Sequence, residues 1–105
     1  MNKLKFYTQL PDMECLSGDT LDRMDFLVDG LETLNSPTAY VQISKKGQES
    51  NVIVNKQCAE MDGGFYTGLN SDDTSSLCGT YWLDFVMFAD GLRYKKLRGV
   101  LIVHP

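Results

Sequence analysis

The sequence predicts an all-β fold, an antiparallel β-sandwich of about seven strands, with residues 1–105 forming a single domain. Three observations predict it. Turn-forming residues recur at intervals of roughly 8 to 12 residues: Ser17-Gly18-Asp19, Asp29-Gly30, Asn35-Ser36-Pro37, Lys45-Lys46-Gly47, Asp62-Gly63-Gly64, Asn70 to Ser76 and Asp90-Gly91. The segments between them alternate apolar and polar residues with the period of a half-buried strand. The last turn, Asp90-Gly91, separates two β-rich runs, Gly79 to Ala89 and Leu92 to Val103. Asp-Gly suits a type I′ hairpin, which needs positive φ at both central residues.

The strands follow in chain order. Leu4 to Gln9 opens the series. In Arg23 to Val28, Met24, Phe26 and Val28 alternate with Asp25 and Asp29. The same stretch also fits a helical spacing through Leu21, Met24, Leu27 or Val28, Leu31 and Leu34, with Ser17 or Asp19 as N-cap, and a helix there would make the class α+β. The strand is preferred because Asp-Gly follows it. In Ala39 to Ser44, Ala39, Val41 and Ile43 share one face and Tyr40, Gln42 and Ser44 the other. Val52 and Val54 repeat the pattern in Asn51 to Lys56. Gly64 to Leu69, Tyr81 to Ala89 and Leu92 to Val103 complete the set, which is the strand count of a small immunoglobulin-like sandwich.

The last strand cannot be a plain ribbon. Pairing across Asp90-Gly91 sets Met87 opposite Tyr94 and Phe85 opposite Lys96, and continuing that register would drive Lys96 and Arg98 into the core. A bulge or kink is therefore expected between Lys96 and Gly99, after which Val100 to Val103 pairs elsewhere in the sheet.

Composition excludes several functions. The net charge of -4 opposes nucleic acid or an anionic membrane as partner, since both demand a basic surface. The cations Arg93, Lys95, Lys96 and Arg98 read as a solvated edge. Cys15, Cys58 and Cys78 form no Cys-x-x-Cys pair, and the lone His104 has no motif partner, so no zinc site is expected. No cofactor is expected either. The first residues lack a signal-peptide apolar run and no stretch reaches membrane-span length, which points to a reducing cytosol with free thiols. The acidic loop around Asp72-Asp73 and Ser75-Ser76 lacks the ligand spacing of a calcium loop, and Asp62-Gly63-Gly64 lacks the lysine and helix of a phosphate cradle. No nucleophile, base and orienting group can be assembled, so the chain is not expected to be an enzyme.

Leu77-Cys78-Gly79-Thr80-Tyr81-Trp82-Leu83 has the shape of a tyrosine corner, in which the Tyr hydroxyl bonds back to the loop entering its strand. Tyr81 and Gly79, with Asp90, Gly91 and Gly99 further on, are thus the expected structural residues. Alternation then places Tyr81, Leu83, Phe85 and Met87 inside and turns Trp82, Val86 and Phe88 outward. The stems of Arg93 and Lys95, opposite Phe88 and Val86 in the plain register, would cover that apolar stripe. Trp82, Val86, Phe88 and Arg93 are nonetheless the expected partner-binding residues, because aromatic residues with Arg mark interface cores.

The chain resembles the small immunoglobulin-like domains of tailed-phage virions, notably the N-terminal domain of the phage baseplate upper-protein family. The resemblance lies in Ser17-Gly18-Asp19-Thr20-Leu21 leading to Asp29-Gly30, and in Ala39-Tyr40-Val41-Gln42-Ile43 followed by a Lys-Gly turn. It continues through Gly64-Phe65-Tyr66-Thr67, Gly79 to Phe85, the Asp90-Gly91 hairpin and the terminal apolar strand, covering most of residues 17 to 103. It implies a non-enzymatic virion building block that docks on phage capsid or tail structural proteins, made in the host cytoplasm. Family members usually continue into further domains, so a module of this length is expected to be a capsid-decorating or head-to-tail accessory protein. Self-association is a further expectation, by strand addition at an edge such as Leu4-Lys5-Phe6-Tyr7. The rival reading is a carbohydrate-binding module using Trp82, Tyr40, Tyr66 and Tyr94.

Overall fold

The computed structural model describes residues 12–48 and 50–105. The strand expected at Leu4 to Gln9 lies outside them. Eight strands are present among the described residues: β1 (Met13–Leu16), β2 (Leu21–Leu27), β3 (Thr38–Lys45), β4 (Val52–Gln57), β5 (Ala59–Met61), β6 (Gly64–Leu69), β7 (Gly79–Ala89) and β8 (Leu92–His104). A 3-10 turn, Leu31–Thr33, separates β2 from β3, and a one-turn helix, α1 (Ser71–Thr74), separates β6 from β7. The stretch that also fitted a helical period is therefore a strand followed by a short turn.

β1, β8, β7, β3 and β4 lie side by side in one sheet, and β2, β6 and β5 in the other. Neighbours are antiparallel except β1 on β8, which run parallel from Met13 opposite Leu101 to Leu16 opposite His104. In immunoglobulin lettering this sets strands C, F and G on one sheet and B, E and D on the other, so the fold is an immunoglobulin-like sandwich. β1 and β5 were not foreseen, and the parallel pair departs from the purely antiparallel expectation.

The two sheets share one apolar core. β7 contributes Tyr81, Leu83, Phe85 and Met87, β3 contributes Ala39, Val41 and Ile43, and β8 contributes Leu97, Leu101 and Val103. They close on Phe26, Phe65 and Leu69 of the smaller sheet. Phe85, 1% exposed, is the centre: its ring stacks on Phe26 at 4.4 Å and tilts against Phe65 at 6.3 Å. Leu83 stands two residues after Tyr81, where antibody domains place the second cysteine of the inter-sheet disulfide. Apolar packing takes over that role, and all three cysteines are free. β6 approaches β2 closely enough that a Cβ at Gly68 would strike the backbone carbonyls of Leu21 and Asp22.

The Asp90-Gly91 hairpin forms as expected, with φ of 54° at Asp90 and 77° at Gly91. The expected slip in β8 exists, but in a different place. It falls between Met87 opposite Lys95 and Phe88 opposite Arg93, which makes Tyr94 the extra residue. A bulge next to the turn corrects the pairing parity before Lys96 is reached, as one beyond Lys96 would not, and it leaves the rest of the ladder intact. Gly99 accordingly sits opposite Leu83 in regular pairing, and Val100 to Val103 stay on β7 instead of pairing elsewhere.

Cys58 is buried where β4 passes to β5, its amide donating to the Ala39 carbonyl at 2.8 Å. Burial pushes its thiol up to about 11. An unfolded chain releases that proton earlier, so the folded state binds more protons between about pH 9 and about 11. Stability is fully present below that window and is expected to fall as pH rises through it. Urea titrations at pH 8 and pH 10.5, wild type beside Cys58→Ala, check this; an equal pH dependence in both proteins would refute it.

Candidate functional site

Strand alternation turns Trp82, Asp84, Val86 and Phe88 of β7 away from the core, onto the outer face of the five-stranded sheet. The register gives each its neighbours. Trp82 lies between Ser44 and Val100, Asp84 between Gln42 and Arg98, Val86 between Tyr40 and Lys96, and Phe88 between Thr38 and Arg93.

Two interactions organise this face. Arg98 grips Asp84 through two of its guanidinium nitrogens, Nε to Oδ1 at 2.8 Å and Nη2 to Oδ2 at 3.1 Å, the fork geometry that matches guanidinium to carboxylate. The Asp84 residue is only 4% exposed, so this carboxylate is held largely out of water. The Arg98 guanidinium also lies 4.6 Å from the Trp82 ring centroid, and Lys46 Nζ lies over the same ring at 4.6 Å. Both contacts add cation-π attraction. Further along the sheet, Tyr40 meets Phe88 edge to face with centroids 6.1 Å apart. Beyond Phe88 an open cleft of about 340 Å³ runs towards the hairpin turn, with Phe88, Ala89, Asp90 and Gly91 on one side and Asn35, Ser36 and Thr38 on the other.

The structure redistributes the residues singled out from sequence. Trp82 and Phe88 are half-buried on the outer face and Arg93 is exposed beside Phe88. Val86 is 4% exposed and lies beneath its neighbours, so it supports the face without presenting itself to a partner. Lys95 is not opposite Val86, because the bulge at Tyr94 sets it opposite Met87. The cations over Trp82 are instead Lys46 and Arg98, and Tyr40 joins the aromatic cluster. Lys46 comes from the β3–β4 turn and gives no local signal in the sequence. The Arg98–Asp84 pairing follows from the sequence once one extra residue is placed in β8 ahead of Arg98.

The supporting residues lie at the two ends of β7. The Tyr81 hydroxyl donates to the Cys78 carbonyl at 3.1 Å and accepts from the Cys78 amide at 2.9 Å, the geometry of a tyrosine corner. Gly79 enters the strand with φ of 115°. Just upstream, Asn70 and Asp73 form a reciprocal capping box on α1, a signal visible as Asn-x-x-Asp but first identified in the structure. Thr74 at its end is fully buried and donates to the Asp19 carbonyl at 2.7 Å, tying this corner to the start of β2. Tyr81→Phe removes both hydroxyl bonds and is expected to cost about 1 to 2 kcal/mol. Urea unfolding measures it, and a change below about 0.3 kcal/mol would mean the corner does not contribute.

His104 is exposed, 3.8 Å from the Glu14 carboxylate. No group of three or more His, Cys, Asp or Glu residues among the described residues is placed to hold a metal ion. No helix among them is long and apolar enough to cross a membrane. No protein-family model matches the chain, and no curated protein matches it.

Proposed function

We propose that this chain is a non-enzymatic interaction protein that docks on other proteins through the outer face of the five-stranded sheet, and that its setting is a phage particle, where it decorates or joins capsid or tail subunits. One observation supports the contact face above the rest. Trp82, Phe88 and Tyr40 share that face with Arg98, Arg93 and Lys46, beside a cleft able to take a partner side chain. Tryptophan, tyrosine and arginine are the residues that dominate binding energy when an interface closes over them. The virion setting comes from the family resemblance of residues 17 to 103. A sugar-binding reading is less well supported, because Lys46 and Arg98 already lie over the ring of the single Trp.

Mass spectrometry of purified particles tests the setting, with stoichiometric copy number expected and absence overturning it. Incorporation of Trp82→Asp tests the face. The variant is expected to fold and to lose at least about 2 kcal/mol of binding, roughly a thirtyfold drop in occupancy at limiting concentration. Unchanged incorporation of a folded Trp82→Asp would refute the face.

A further inference from the structure

We propose that the occupant of this face is the acidic side of a second copy of the chain, so that copies associate head to tail. The proposal rests on the contact-face reading and names its partner.

Charge is sorted between the two sheets. From residue 12 onward every lysine and arginine except Arg23 lies on the five-stranded sheet or in the turn joining β3 to β4. The three-stranded sheet and its connections carry mostly carboxylates, Asp22 and Asp25 on β2, Asp29 and Glu32 beyond it, Glu60 on β5 and Asp62 in the turn to β6, all exposed, whereas on the five-stranded sheet Glu14 and Asp84, the latter gripped by Arg98, and Asp90 in the hairpin are outnumbered by the cations. Arg23 is already engaged, bonded to Asp25 at 2.6 Å and lying over the Tyr66 ring at 4.0 Å. The outer face of the five-stranded sheet thus sets Lys46, Arg93 and Arg98 beside Trp82, Tyr40 and Phe88, while the smaller sheet and its connections are net acidic.

This sorting selects the mode of association. A two-fold pairing of outer faces would bring the cations Lys46, Arg93 and Arg98 of one copy against the same cationic face of the other, and like charges at close range repel. A polyanion such as DNA would meet a molecule of net charge -4. The basic face of one copy on the acidic face of the next satisfies both constraints. Such a contact is heterologous, and because each copy offers both halves it propagates into a ring or a filament.

Sedimentation velocity on the full chain tests this. At 0.1 M NaCl the weight-average sedimentation coefficient is expected to rise with protein concentration. At 1 M, where the screening length shrinks from about 10 to about 3 Å, it is expected to fall to the monomer value. Lys46→Glu with Arg93→Glu, and separately Asp22→Lys with Asp62→Lys, should each weaken association at least about tenfold. An equimolar mixture of the two double variants should restore it, because each reversed face then meets a complementary one. A wild type that is monomeric at every salt concentration, association that persists at 1 M, or a mixture that stays monomeric overturns the proposal. If the wild type is monomeric but Trp82→Asp still abolishes particle incorporation, the contact face stands and the second copy is excluded. Monomeric wild type together with normal incorporation of Trp82→Asp overturns both.

Discussion

Phe85→Ala is expected to lower the unfolding free energy by about 3 to 5 kcal/mol, a large part of what a domain of this size possesses. The ring is where the two sheets meet, stacked on Phe26 and tilted against Phe65, and no disulfide ties the sheets together. Truncation removes the transfer free energy of the ring and leaves a cavity that two hydrogen-bonded sheets cannot easily collapse into. Urea unfolding followed by Trp82 fluorescence gives the number. Phe85→Leu, which retains most of the volume, should lose less than half as much. Equal losses from the two variants would show that ring stacking, not filled volume, is what this position supplies.

Arg98→Met should cost about 2 to 3 kcal/mol, although Arg98 lies on the outer face of a sheet. An ordinary surface ion pair contributes little. Here the acceptor is a buried carboxylate gripped by two guanidinium nitrogens, and the Arg98 side chain is one-third exposed. Losing the fork removes two charge-assisted bonds from Asp84 without returning it to water. The double variant Asp84→Leu with Arg98→Met should recover much of the loss, because an apolar pair of similar size has no desolvated charge to satisfy. A coupling energy near zero in that cycle would refute the account. So would a loss that vanishes in 0.5 M salt, which is the behaviour of a screened surface pair.

Much of this architecture is written in local pattern. The alternation of Ala39 to Ser44 and of Tyr81 to Met87 assigns the inner faces of β3 and β7, and Asp90-Gly91 fixes the hairpin. The parity conflict at Lys96 shows that β8 must slip, but any position between the turn and Lys96 resolves it, so the bulge at Tyr94 could not be read in advance. β1 has no local signature, for a different reason. Four residues, Met13–Leu16, carry no periodicity of their own, and their partner strand lies at the other end of the sequence. The contact face was half legible. Its aromatic residues follow from strand alternation, whereas Lys46 over Trp82 depends on how far a neighbouring turn reaches.

The parallel pairing of β1 with β8 has a mechanical consequence. Its rungs run from Met13–Leu101 to Leu16–His104, and the Ser17 amide adds a bond to the His104 carbonyl at 2.7 Å. A pull on the chain ahead of β1 and beyond β8 drags the two strands past each other along their length. In that shear geometry every rung bears the load together, whereas strands peeled apart from one end break their bonds singly. A force applied between the start of β1 and the end of β8 therefore meets the whole set of β1–β8 bonds at once.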